Sequence, residues 1–351
     1  MLAAVLFSPV KSIALSAEKA IVIDGQTGRV IYDKNADQQS LIASTTKIMT
    51  ALVVCEQCNV LDRVRIPKEA VGIEGSSMYL REGEILTVQE LLYGLMLQSG
   101  NDAAVALAIY CGGTVEGFAG LMNDKAFRLG MKQTHFVNPH GLDAAGHYST
   151  AKDLGILACY AMDNPIFART VSTKSIKIGE RYLTNHNKLL WQVPGANGVK
   201  TGFTKAAGRI LVSSAERNGR DLICVTINAP DDWNDHKQLL EKGFSEYAPV
   251  DIIKKGDIVG AIPVAGGQSG MVQLIASEDF CYAMHPSEQT EIRLPTQSFV
   301  YAPVVEGAEA GFVHILVNGE PVGKIPILYG ETVELEAEPT LPWWKRIFSG
   351  G

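Results

Sequence analysis

The sequence predicts an α+β domain followed by a small all-β domain. Strand patterns near residues 20–33 and 199–228 bracket a series of helical stretches, so one sheet has to join both ends of that segment. Apolar spacing changes from helical to alternating at Val171. After Pro249 no helical period remains, and short alternating runs between Gly and Pro turns suit a β-sandwich.

The first 17 residues are apolar and rich in small side chains, ending Ile13-Ala14-Leu15-Ser16-Ala17. They read as the remnant of a secretory signal, although Lys11 interrupts the run and no basic region precedes it; a short apolar helix of the fold is the alternative. Gly25-Gln26-Thr27-Gly28, between apolar runs at 20–24 and 30–32, is a hairpin signature. The next helix carries Ser44 and Lys47 and runs through Val54. Residues 59–86 lack a clean period and read as strand fragments and loops. Thr87-Val88-Gln89-Glu90 is a capping box, and its helix stops at Ser99-Gly100-Asn101-Asp102. An alanine-rich helix then reaches Cys111, and another spans 115–129 with Gly130 just past its end. Thr150-Ala151-Lys152-Asp153 caps a third over 154–162, after an irregular polar loop at 136–142. Residues 175–182 read as a hairpin, 199–203, 210–214 and 222–228 as successive antiparallel strands, and 233–247 as a closing helix. Asp231-Asp232-Trp233-Asn234-Asp235-His236 has the look of a metal site but reads better as a solvated loop capping that helix. In the β domain, Asn318-Gly319 marks a hairpin turn.

The tail places Leu341, Trp344, Ile347 and Phe348 on one helical face beside Lys345 and Arg346, which suits an interfacial membrane anchor; a disordered tail, or one packed on the β domain, is the alternative. The expected division is therefore 1–17 leader, 18–248 catalytic domain, 249–337 β-sandwich and 338–351 amphipathic tail.

Composition narrows the function. At 351 residues, 46% apolar and 20% charged, the chain is ordinary globular protein long enough for two domains. A net charge of −7 argues against a nucleic-acid partner, and no run of 18 apolar residues exists to span a membrane. Six cysteines are scattered, and most read as small buried hydrophobes. Cys55-Glu-Gln-Cys58 resembles half a zinc site or a redox pair, without a second pair at ligand spacing; a Cys55–Cys58 disulfide is an option in an exported chain. The sequence calls for no metal and no cofactor.

Three short motifs carry the chemistry, in order: Ser44-Thr45-Thr46-Lys47, Ser99-Gly100-Asn101 and Lys200-Thr201-Gly202. Spacing of three puts Ser44 and Lys47 on one helical face. A serine hydroxyl needs a base, and a lysine serves only if burial or a second cation lowers its pKa. The first motif sits at a helix start, the second in a turn between helices, the third on a strand. Any one of them is noise; the ordered triple is the mark of penicillin-binding proteins and serine β-lactamases.

On these motifs the chain resembles the low-molecular-mass penicillin-binding proteins, the exported D-alanyl-D-alanine carboxypeptidases. Family-like segments also occur at 101–104, 138–142, 149–154 and 184–187, and the β domain and amphipathic end fit as well. The resemblance implies a transpeptidase-type fold in which an antiparallel sheet is flanked by helices. It implies that Ser44 attacks a peptidoglycan stem peptide ending in D-Ala-D-Ala, forms an acyl-enzyme, and is acylated by β-lactam antibiotics. Lys47 is the candidate base, kept neutral by burial and by Lys200. Ser99 relays a proton to the leaving D-alanine, and Asn101 holds Lys47 and the substrate amide. Lys200 and Thr201 meet the free carboxylate, and Gly202 lets substrate lie along the strand. The oxyanion hole is the backbone N–H groups of Ser44 and Phe203. Some relatives have His where this chain has Phe203, and Arg where it has His186; His186 reads as a weaker carboxylate ligand or a structural histidine. The implied location is extracytoplasmic, in the cell envelope and peripheral to the cytoplasmic membrane.

Two other classes compete. A β-lactamase of the commonest type needs Glu-x-x-Leu-Asn, and the nearest match, Glu180-Arg181-Tyr182-Leu183-Thr184, ends in Thr and sits in an expected hairpin. An idle wall-binding scaffold would have lost Ser44, Lys47 or Lys200, and all three are present.

Overall fold

The computed structural model describes residues 14–295 and 298–337, so the expected tail and all but the last four residues of the expected leader lie outside it. The chain divides into two compact units, Met1–Glu246 and Tyr247–Gly351.

The first unit opens with the hairpin β1 (Lys19–Asp24) and β2 (Val30–Lys34). A 3₁₀ turn, Ala43–Thr46, leads into α1 (Lys47–Gln57). A two-stranded ribbon of β3 (Arg63–Arg65) and β4 (Ile85–Thr87) precedes α2 (Val88–Leu97), whose capping box forms as expected: Glu90 N–H donates to Thr87 Oγ1 and Thr87 N–H to Glu90. Then come α3 (Asn101–Gly112), α4 (Val115–Arg128) and α5 (Ala151–Met162). Helix α6 (Pro165–Ser172) was not anticipated, although Asn164 caps it and Pro165 sits in its first turn, a helix-start signature. A β5 (Ser175–Ile178)–β6 (Arg181–Thr184) hairpin and a single turn, α7 (Leu189–Gln192), lead to β7 (Ala196–Thr204), β8 (Gly208–Arg217), β9 (Arg220–Ile227) and α8 (Asp232–Glu246).

The main sheet has the order β2-β1-β9-β8-β7, so the first and last strands of the unit meet in its middle, with Lys19 opposite Ile227. Period two divides its faces. Ile21, Ile23, Ile223, Val225 and Val212 point into the core shared with the helices. The other face carries α8, whose His236 sits between Ser213 Oγ at 2.6 Å and Thr226 Oγ1 at 2.9 Å. The motif at 231–236 is thus not a solvated loop: Asp232, Asp235 and His236 are all buried. Asp235 accepts from the Ser16 and Ala17 N–H groups at 3.0 and 2.9 Å and from Ser16 Oγ at 2.8 Å, so these two residues of the expected leader are tied to the folded unit.

A buried ion pair fastens the sheet's far end. Arg220 Nε donates to Asp24 Oδ2 at 2.7 Å and Nη1 to the Gly243 carbonyl at 3.1 Å, while Asp24 Oδ1 accepts from Thr27 N–H and Oγ1. Removing one partner strands the other charge out of water. Asp24→Ala is expected to cost about 3–5 kcal/mol, read as a lowered denaturation midpoint.

The described residues of the second unit are all β, as expected. Its strands are β10 (Ala248–Ile253), β11 (Ile258–Ala265), β12 (Met271–Ala276), β13 (Phe280–Met284), β14 (Thr290–Arg293), β15 (Val300–Tyr301), β16 (Glu309–Val317) and β17 (Glu320–Tyr329). β10 pairs with β13, and the rest form a six-stranded sheet, β14-β16-β17-β12-β11-β15. Its core comes from alternate residues such as Val272 and Leu274, Val313 and Ile315, and Ile325 and Ile327. Asn318-Gly319 closes the β16–β17 hairpin.

Candidate active site

Ser44 lies in the 3₁₀ turn one residue after Ala43, which holds φ +44°; Ser99, between α2 and α3, holds φ +60°. Left-handed backbone at non-glycine residues costs about 1–3 kcal/mol each and concentrates at functional sites.

Lys47 begins α1 and is wholly buried. Its Nζ lies 3.0 Å from Ser44 Oγ, 2.7 Å from Asn101 Oδ1 and 2.6 Å from the His140 carbonyl. Burial, then the charge of Lys200, hold its pKa well below the ordinary lysine value, against a weaker pull from Asp102. A neutral amine has two hydrogens and one lone pair. Asn101 and His140 accept the hydrogens, which leaves the lone pair for the Ser44 hydroxyl proton.

Each of these acceptors is itself held. Asn101 Nδ2 donates to the Glu74 carbonyl, which holds the amide with its Oδ1 on Lys47. Asp102 fixes the neighbouring loop through Ser77 Oγ (2.6 Å) and the N–H groups of Met78 (3.1 Å) and Leu80 (3.0 Å). Around His140, Asn138 Oδ1 accepts from Gly141 N–H at 2.7 Å, and Thr50 Oγ1 donates to the Pro139 carbonyl at 2.6 Å. Gly141 has φ +89°, and a Cβ there would lie 1.8 Å from the Ala43 carbonyl oxygen. The sequence marks 138–142 as part of an irregular polar loop and as a family-like segment; that its backbone carbonyl holds Lys47 has no side-chain signal.

The third motif lies on β7, the edge of the sheet beside the Ser44 turn. Alternation sends Lys200, opposite Val212, into the helical side; Thr201 and Phe203, opposite Leu211 and Arg209, face the other way. Lys200 is 2% exposed, its Nζ donates to the Thr201 carbonyl at 2.8 Å, and burial lowers its pKa to about 7. Where a side chain at Gly202 would project, it would meet Ile42 O and Ser44 N, both 3.3 Å away. Gly202 therefore lets β7 approach the nucleophile's turn, beside the clearance for substrate that the sequence suggests.

Ser44, Ser99, His186, Thr201, Gly202 and Phe203 line one cleft of about 300 Å³. Ser76, Arg209, Asp232 and Trp233 line it too and were not anticipated there. His186 has its pKa lowered by burial and then by Lys200, so it is a neutral group facing the cleft. Glu180–Thr184 belongs to the β5–β6 hairpin, and Arg181 there pairs with Glu84 at 2.6 Å. Cys55 and Cys58 are free thiols, so the disulfide offered by the sequence is not formed. Among the described residues no group of three or more His, Cys, Asp or Glu side chains is placed to hold a metal.

Comparison with known proteins gives concordant matches. The family model for D-alanyl-D-alanine carboxypeptidase, Peptidase_S11, matches residues 7–231, and that for the penicillin-binding protein 5 C-terminal domain matches residues 247–335. D-alanyl-D-alanine carboxypeptidase DacF of Bacillus subtilis (strain 168) is 33% identical over 340 residues, 92% of this chain and 87% of that one. DacC of Escherichia coli (strain K12) is 33% identical over 344 residues, 93% of this chain and 86% of that one. Among solved structures, penicillin-binding protein 5 from Haemophilus influenzae superposes with a TM-score of 0.81 at 28% identity, covering 93% of this chain and 99% of that one. A point mutant of the Streptomyces K15 DD-transpeptidase gives 0.65 at 35% identity, over 67% of this chain and all of that one.

Proposed function

We propose that this chain, which belongs to the D-alanyl-D-alanine carboxypeptidase family, removes the terminal D-alanine of peptidoglycan stem pentapeptides through an ester on Ser44. One observation carries the mechanism: a buried lysine, deprived of its usual basicity, has its free valence directed at the Ser44 hydroxyl. Ser44 Oγ attacks the carbonyl of the penultimate residue while Lys47 takes its proton. The backbone N–H groups of Ser44 and Phe203 receive the developing oxyanion. Ser99 passes a proton to the departing amine, the C–N bond breaks, and water then cleaves the ester. Lys200 supplies a cation beside the site, and Thr201 a hydroxyl for the substrate carboxylate. β-Lactams acylate the same oxygen. The apolar first segment and the 341–348 tail support action outside the cytoplasm, with the tail resting on the membrane surface. No observation favours a β-lactamase or an idle scaffold.

Mass spectrometry of a synthetic stem pentapeptide incubated with the protein should show loss of one D-alanine. Cleavage at a cross-link instead would make it an endopeptidase. Stable labelling by fluorescent penicillin separates it from a lactamase, which would turn the drug over.

The two lysines must differ in protonation, Lys47 neutral and Lys200 charged. Activity is therefore gained as pH rises through the depressed pKa of Lys47 and lost as pH rises through about 7, where Lys200 gives up its proton. We expect a bell-shaped profile of kcat/KM with its alkaline limb beginning near neutrality. A profile flat across the neutral and mildly alkaline range would contradict the assignment.

A further inference from the structure

The reaction just described requires a free carboxylate at the end of the substrate, and the cations foreseen for it are poorly suited. Lys200 points to the helical face, is buried, and already donates to the Thr201 carbonyl. Its charge fades near neutral pH, and His186 is held neutral. Among the described residues that line the cleft, Arg209 is the one that carries a guanidinium.

Arg209 is on β8, directly opposite Phe203. The pleat puts it on the same sheet face as Phe203 and Thr201, at cross-strand distance from the residue whose N–H would meet the oxyanion. Its guanidinium is held from behind. Nη2 donates to Asp232 Oδ1 at 2.7 Å, and the cation lies 5.7 Å from the centre of the Trp233 ring. Asp232 is 3% exposed, while 42% of the Arg209 side chain remains accessible. Its Nε–H is shut from solvent and finds no partner within the described protein. A buried donor left unpaired costs about 1–3 kcal/mol, so the guanidinium's hydrogen bonding is incomplete on its own. Asp232 takes one Nη2 hydrogen, and the Nη1 and Nη2 hydrogens that remain form an end-on fork that matches a carboxylate.

We propose that Arg209 is the residue that selects a free C-terminal carboxylate, with Asp232 and Trp233 as the positioning residues that aim its guanidinium into the cleft. The inference rests on the carboxypeptidase reading and refines it: the group recognised is the anionic end of the peptide. It also gives the buried acidic start of α8 a purpose that neither a metal site nor a surface cap supplied.

The test compares a stem peptide ending in D-Ala-D-Ala as free acid with the same peptide as C-terminal amide. Wild type, Arg209→Lys and the charge-balanced Arg209→Gln/Asp232→Asn pair are assayed, with thermal melts to show that each is folded. The double variant should lose about 10- to 100-fold in kcat/KM on the acid, mainly through KM, and at least tenfold less on the amide. Arg209→Lys, which keeps the charge and loses the fork, should fall between. Equal losses on acid and amide, or an acid preference that survives in the double variant, would overturn the inference while wild-type turnover left the carboxypeptidase reading standing. A wild-type protein that cuts neither peptide would overturn both.

Discussion

Ser44→Ala is expected to lower turnover of a D-Ala-D-Ala peptide by about 10⁴-fold or more and to abolish labelling by fluorescent penicillin. Without Oγ there is no atom to carry the acyl group, whatever the remaining residues bind. The fold should survive, because the Ser44 side chain is only half-buried and its described hydrogen bond is with Lys47. Melting temperature should stay within a few degrees of wild type, which separates lost chemistry from lost structure. Residual covalent labelling of the folded variant would move the nucleophile elsewhere and end the proposed mechanism.

Gly141→Ala should damage both stability and turnover, through a residue whose place is in the backbone packing beside the nucleophile. Its Cβ would be driven to 1.8 Å from the carbonyl oxygen of Ala43, at a backbone angle that alanine rarely adopts. Left-handed strain of about 1–2 kcal/mol adds to the cost of parting two packed backbones, and a total of about 2–5 kcal/mol is expected. The displacement moves Ala43, beside the nucleophile, and the His140 carbonyl that holds Lys47. A shift of about 1 Å at such a site costs on the order of 100-fold in kcat. Denaturation and steady-state kinetics should therefore both change; a fully stable, fully active variant would show that loop 138–142 is not part of the positioning apparatus.

The three motifs were legible because each is a few residues of distinctive chemistry placed at an element boundary. The strands were legible too, since Val199–Phe203 and Leu222–Ile227 alternate or run apolar between turn residues. The backbone contributions were not: the His140 and Glu74 carbonyls act without any side-chain mark. Arg209, Asp232 and Trp233 were missed for another reason. A run of acids, an aromatic and a histidine has the same composition whether it faces water or a strand. Only the pairing of β8 with β7 shows which arginine stands behind the cleft. Gly202 also permits a close approach to a segment 158 positions earlier (Gly202 against Ser44), which no local pattern signals.

The pairing of Lys19 with Ile227 has a consequence for biogenesis. The sheet cannot close until nearly the whole catalytic unit has been synthesised, and Lys200 joins Ser44 only then. A ribosome-bound fragment ending short of the last strand would carry both Ser44 and Lys200 but would lack the closed sheet that brings them together. Capture of a β-lactam thus serves as a clock for maturation, starting when the two ends of the unit come together.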